Sequence, residues 1–118
     1  MPLAITAYVD RLPAPWAVGW YNGPLVRILK THRHDPGVHA HEYEHVRQWW
    51  ATFGLLPIGY ALSRRVRLWS ESKAYAAAIR AGTYELDECA HLLAQHYGLR
   101  ISFAEARASL SRHIIPRI

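Results

Sequence analysis

The sequence predicts an α+β fold in which a small N-terminal β-hairpin precedes a mostly helical body. Three observations carry that expectation. The first 35 residues hold three early prolines (Pro2, Pro13, Pro15) and an Asn22-Gly23 pair, which suit turns and extended chain rather than a long helix. From about Gly37 the apolar residues recur at helical spacing instead. Beyond that point, helix start and stop residues alternate to the end of the chain. A length of 118 residues with 51% hydrophobic content fits one domain, residues 1–118, with a core of its own. No repeat, linker or low-complexity stretch interrupts it.

The elements follow in order. Residues 16–20 and 25–31 read as two strands joined through Tyr21-Asn22-Gly23-Pro24, because Asn and Gly both tolerate positive φ. Pro24 cannot donate to a strand ladder and belongs at the turn or on an edge. Asp35-Pro36 is a helix start and Gly54 a stop, with Val38, Glu42, Val46, Trp49 and Phe53 on one stripe. His41, His45 and Gln48 form the neighbouring stripe. Residues 55–68 read as a loop with a short helix, residues 69–80 as an alanine-rich helix, and residues 85–97 as a third helix closed by Gly98. Ser102 and Glu105 have capping-box spacing for a last helix running to about Arg112.

Composition narrows the function classes. A single cysteine, Cys89, rules out an intrachain disulfide and a thiolate-rich zinc knuckle, and its helical neighbours Leu86, Leu92 and Leu93 make it a small core residue. The N-terminal stretch MPLAITAYVDRLPAPW lacks a secretory pattern, and no run of about 18 apolar residues offers a membrane span, so a cytoplasmic protein without membrane association is expected. The net charge is +5, yet the basic residues are scattered apart from Arg64, Arg65 and Arg67. A solvated basic surface accounts for this better than nucleic-acid binding does.

The chemistry concentrates in His41-Glu42-Tyr43-Glu44-His45. Helix positions four apart share a face, so both imidazoles can reach one tetrahedral ion. Glu42 then stands beside the ion, where a carboxylate can take a proton from an activated water. A catalytic zinc normally has three protein ligands and one open position. An HExxHxxGxxH site is excluded by Gln48 and Ala51, so the third ligand lies further along. Glu71, read as opening the helix of residues 69–80, is the first choice. Its competing role is a favourable charge at a helix N-terminus. His91 is the second choice, since zinc accepts imidazole readily, and Asp87 and Glu88 lie nearby.

HEYEH followed by ESKAY resembles the gluzincin metallopeptidases, which combine HExxH with a Glu on an ExxA-type helix. HEYEHVRQ is also similar to the HExxHxxQ form of small bacterial and phage-associated proteins assigned as metallopeptidases. The likeness covers roughly residues 38–80. It implies a zincin-like core with an HExxH active-site helix, His41, His45 and Glu71 as ligands of one Zn2+ per chain, and Glu42 as general base. Many such proteins carry Asp four residues after the ligand Glu, where this chain has Tyr75, whose hydroxyl could support a ligand histidine in its place.

The resulting expectation is a zinc-dependent peptidase with a peptide or protein substrate, residues 25–31 being the candidate edge strand that holds it. The alternative is a non-catalytic, zinc-containing protein-binding module that works within a larger assembly. His39, Tyr60 and Tyr75, with His32, His34 and Tyr84, are the candidates for stabilising an oxyanion, although solvated loop positions are the plainer expectation for the histidines. Trp49 is expected in the core and Trp50 packed against the hairpin.

Overall fold

A computed structural model describes residues 3–114. Its architecture is α+β: a three-stranded sheet followed by five α-helices among the described residues. Strand β1 (Ile5–Val9) runs parallel to β3 (Leu25–Leu29), and β2 (Gly19–Asn22) runs antiparallel to it, giving the order β1-β3-β2. The hairpin turn is Gly23-Pro24, with Asn22 opposite Leu25. Gly23 adopts a φ of 57°, the left-handed region that favours glycine. The first strand of the hairpin therefore lies later than residues 16–20. Ala14 O accepts from Ala17 N in a turn that keeps Trp16 out of the ladder.

Central β3 buries Val26 and Ile28 on the face that meets the helices, where they join Val38 and Val46 in one apolar cluster. That central position corrects the expectation that residues 25–31 form the edge. Both of its sides are paired, and residues 30–32 turn into a short 3-10 helix. Edge strand β1 was hidden in the sequence because Ile5 and Tyr8 stay exposed, which blurs the alternation that marks a strand.

Helix α1 (Pro36–Ala51) starts as its sequence predicts. Asp35 Oδ1 accepts from the Gly37 and Val38 amides, and Pro36 occupies the first turn. Thr83 Oγ1 and Tyr84 Oη also donate to Asp35, tying this cap to the loop before α4. The helix ends before Phe53, which leaves the expected stripe. Its φ of 53° and 93% exposure place it on the surface. Trp49 is half-buried with its ring over Gly23 and Gly54, and Trp50 Nε1 donates to Leu3 O beside β1.

Helix α2 (Leu56–Leu62) fills the ambiguous segment, and α3 (Arg64–Arg80) begins five residues earlier than the alanine-rich pattern suggests. Ser63 caps it, its hydroxyl accepting from Val66 N. Helix α3 lies between α1 on one side and α5 (Phe103–Ile114) on the other, with α4 (Leu86–Gln95) closing the bundle. Burial from both sides explains why α3 uses Ser70, Ser72, Ala74, Ala76 and Ala78, small side chains that let its neighbours approach closely. A second apolar cluster, including Leu93, Leu99 and Leu110, binds α4 and α5 to it. Cys89 sits there fully buried, and burial pushes its thiol up to about 12, so it behaves as a core residue. The Ser102–Glu105 capping box forms in both directions. No helix among the described residues is long and apolar enough to cross a membrane.

Candidate metal centre

Packing α1 against α3 brings three of the predicted ligands together. His41 and His45 project from successive turns of α1, and Glu71 faces them from α3. Glu71 Oε1 lies 3.0 Å from His45 Nε2 and 3.4 Å from His41 Nε2. One ligand atom from each residue falls within 4.8 Å of the others, and all three side chains are buried. Glu71 stands roughly two turns inside α3, not at its N-terminus, so the helix-dipole explanation does not apply to it.

Buried charge is costly unless paired, and here it is paired. Burial pulls the His45 imidazole down, but Glu71 beside it outweighs that effect and raises its pKa to about 9. Burial likewise pushes Glu71 up, and the charges and hydrogen bonds of His45 and His41 outweigh it to hold the carboxyl well below its ordinary range. Glu42 behaves differently. Burial raises its pKa, against the opposing pull of His41 and His45. Its Oε2 lies 3.9 Å from His41 Nε2, beside the three converging donors.

The sheet completes the surroundings. The Tyr21 ring on β2 stacks on the His45 imidazole, with centroids 4.8 Å apart and planes at 15°. Gly19, on the same face of β2, leaves room for Glu42: a Cβ there would meet Glu42 Oε2 at 2.7 Å and Cγ at 2.8 Å. From α2, Tyr60 donates its hydroxyl to Glu71 Oε2 at 2.5 Å. Arg67 holds that tyrosine in place, donating to Tyr60 O at 3.1 Å and to Tyr97 O at 2.8 Å. One arginine of the basic cluster is thus an internal strut.

Behind His45 lies a second polar layer. Ser70 Oγ is 3.1 Å from His45 Nδ1 and donates to Gln48 Oε1, while Gln48 Nε2 donates to Glu44 Oε2 and to Ser70 O.

The remaining candidates take other positions. Tyr75 sits edge-on to His41 with centroids 4.3 Å apart, but its hydroxyl pairs with that of Tyr97 and supports no ligand histidine. The tyrosine ring carries its oxygen past the imidazole, where an aspartate would stop short. His39 lies outside the cavity because it is two residues from His41 on a helix and so points away. Its Nδ1 pairs with Asp35 O and its Nε2 with Tyr8 Oη. His91 is exposed and stacked on Phe103, Asp87 pairs with Arg107, and Glu88 caps α4, so none of them joins His41 and His45. Nothing in the sequence marks Gly19, Tyr21, Glu44 or Ser70 as parts of the site, and Gln48 carries only its place on the histidine stripe.

The three donors and Glu42 form the floor of a cavity of about 720 Å3. Its walls are mainly apolar and aromatic, with Trp16, Trp20 and Tyr21 on the sheet side and Pro57, Leu92 and Tyr97 on the helical side. Trp16 stacks on His96 at 4.1 Å, joining the two walls. Compared with known proteins, the chain matches no family model, no curated protein and no solved structure.

Proposed function

We propose that the protein is a zinc-dependent hydrolase that cleaves peptide bonds, with His41, His45 and Glu71 holding the ion and Glu42 as general base. The observation that carries this reading is the convergence of two imidazoles and a carboxylate, all buried, beside a further carboxylate on a cavity floor. The donor set fits the ion. Two neutral nitrogens and one anionic oxygen are the ligand class of catalytic zinc, and three protein donors leave a position open towards substrate. Zinc bound there would supply Lewis acidity, which polarises a carbonyl and makes a water acidic enough to lose its proton near neutral pH.

The chain's own residues then divide the work. Glu42 takes the proton of the attacking water and returns it to the leaving amine, so that a peptide bond and an O–H bond break while a carboxylic acid and an amine form. Its raised pKa suits a group that must both accept and release a proton. Tyr60 fixes the outer oxygen of Glu71 and leaves the inner one facing the histidines. Edge strand β2 lines the cavity and, among the described residues, has one unpaired side, which supports its use in place of residues 25–31 for holding an extended peptide. The aromatic walls suit an apolar side chain next to the scissile bond.

The test is hydrolysis of a mixed peptide library by the zinc-loaded protein, read by mass spectrometry, for wild type and Glu42→Gln. Glu42→Gln is expected to lower kcat by about 10^2- to 10^4-fold while keeping its zinc. Cleavage by wild type and Glu42→Gln at equal rates, or by neither, would reject the hydrolase reading.

A further inference from the structure

The polar layer behind His45 has a direction, and that direction follows from which of its atoms can only accept. Gln48 is 3% exposed, and its Nε2 lies 3.1 Å from Glu44 Oε2 and 3.2 Å from the Ser70 carbonyl. A carbonyl oxygen has no proton to give, so the amide nitrogen of Gln48 must face it. The amide oxygen is thereby turned to Ser70 Oγ, at 2.5 Å, and must accept the serine's single proton. With that proton committed, Ser70 Oγ can only accept from its other neighbour, His45 Nδ1, at 3.1 Å. Nδ1 of His45 therefore keeps its proton, and the proton on Nε2, held against Glu71 Oε1 at 3.0 Å, is the one given up when an ion binds there.

Resting on the metal-site reading above, we propose that Glu44, Gln48 and Ser70 are positioning residues that fix the tautomer and ring orientation of His45 for metal binding. Each link occupies a buried place: Ser70 is 0% exposed, and Glu44 8%. Arg47, on the next turn of α1, pairs with Glu44 at 3.1 Å and anchors the far end of the chain. A wrong tautomer would put an N–H against the ion and leave two acceptors, His45 Nδ1 and Gln48 Oε1, competing for the single Ser70 proton. The relay also gives Glu44 and Gln48, both inside the HEYEHVRQ segment, tasks distinct from those of His41, Glu42 and His45.

The experiment compares Ser70→Ala with Ser72→Ala. Both serines are fully buried on α3, but Ser72 Oγ pairs with Ser109 Oγ at 2.7 Å and takes no part in the relay. Zinc affinity is measured by competition with a chelator. Ser70→Ala is expected to weaken it by about 10- to 100-fold and Ser72→Ala by less than about twofold. A structural role alone would not move the second readout, the imidazole N–H signals of zinc-loaded protein labelled with 15N-histidine. Wild type should show a slowly exchanging Nδ1–H for His45, absent or rapidly exchanging in Ser70→Ala and intact in Ser72→Ala. Unchanged affinity in Ser70→Ala, or equal losses in both variants, would overturn the relay while leaving the metal site standing. Failure of wild type to bind zinc would overturn both.

Discussion

Two polar faces of this molecule carry the same residue types and do different things with them. The α1–α3 interface holds His41, His45, Glu42 and Glu71, all buried. Helix α4 presents Asp87, Glu88 and His91, all exposed. On α4 each group is spent on local structure: Asp87 on Arg107 at 2.9 Å, Glu88 on the helix cap, His91 on the Phe103 ring. Within the α1–α3 interface the groups point at one another, and their proton affinities are displaced in opposite directions, His45 and Glu42 upward and Glu71 downward. Residue type alone does not separate the two faces. Burial with converging geometry does, because desolvated donors that cannot turn to water are held to one arrangement.

The comparison can be sharpened first at Gly19. Gly19→Ala forces its methyl against Glu42 and should lower hydrolysis by about 10^2-fold, since displacing a reacting group by about 1 Å costs that much. Zinc content should stay that of wild type, because the atoms nearest the added methyl all belong to Glu42; the two are measured as kcat and bound metal on the same sample.

A smaller effect is expected in the stability of metal-free protein as pH changes. His45 has a folded pKa of about 9 against an ordinary value of 6.5, so its pairing with Glu71 stabilises fully below 6.5 and is lost as pH rises through about 9. Glu71 is shifted the other way, so its contribution is present above the ordinary carboxylate range and lost only in strong acid. Calorimetry of chelator-treated wild type should show Tm falling between pH 6.5 and 9, the window set by His45. Glu71→Gln should flatten that slope; a slope unchanged in this variant would place the titration elsewhere.

The α4 face should give the smallest response. Asp87→Ala removes an exposed pair with Arg107, worth about 0–1 kcal/mol of stability in denaturant unfolding. His91→Ala should leave bound zinc at the wild-type level, and a loss there would erase the distinction between the faces.

The parts of this picture that were legible in the sequence are those set by local spacing. Asp35-Pro36, the four-residue interval between His41 and His45, and the Ser102–Glu105 box each act within one or two helical turns, and each forms as read. Glu71 was legible as a candidate, but its depth inside α3 was not, because Arg64, Arg65 and Arg67 gave no apolar periodicity to mark the first turns. Tyr75 misled for a geometric reason: residue spacing locates a Cβ, whereas the hydroxyl lies a ring's length further, at Tyr97. Gly19, Tyr21 and Ser70 reach the site from β2 and α3, and only the tertiary packing on α1 brings them to Glu42 and His45. Long-range approach of that kind leaves no periodic trace.

The central claim, that one ion is held by α1 and α3 together, is tested most directly by elemental analysis of untagged protein after zinc loading and removal of excess metal. Wild type should carry one zinc per chain, and His45→Ala and Glu71→Ala should each carry close to none. A wild-type chain without zinc, or a Glu71→Ala variant that keeps its full complement, would contradict the account.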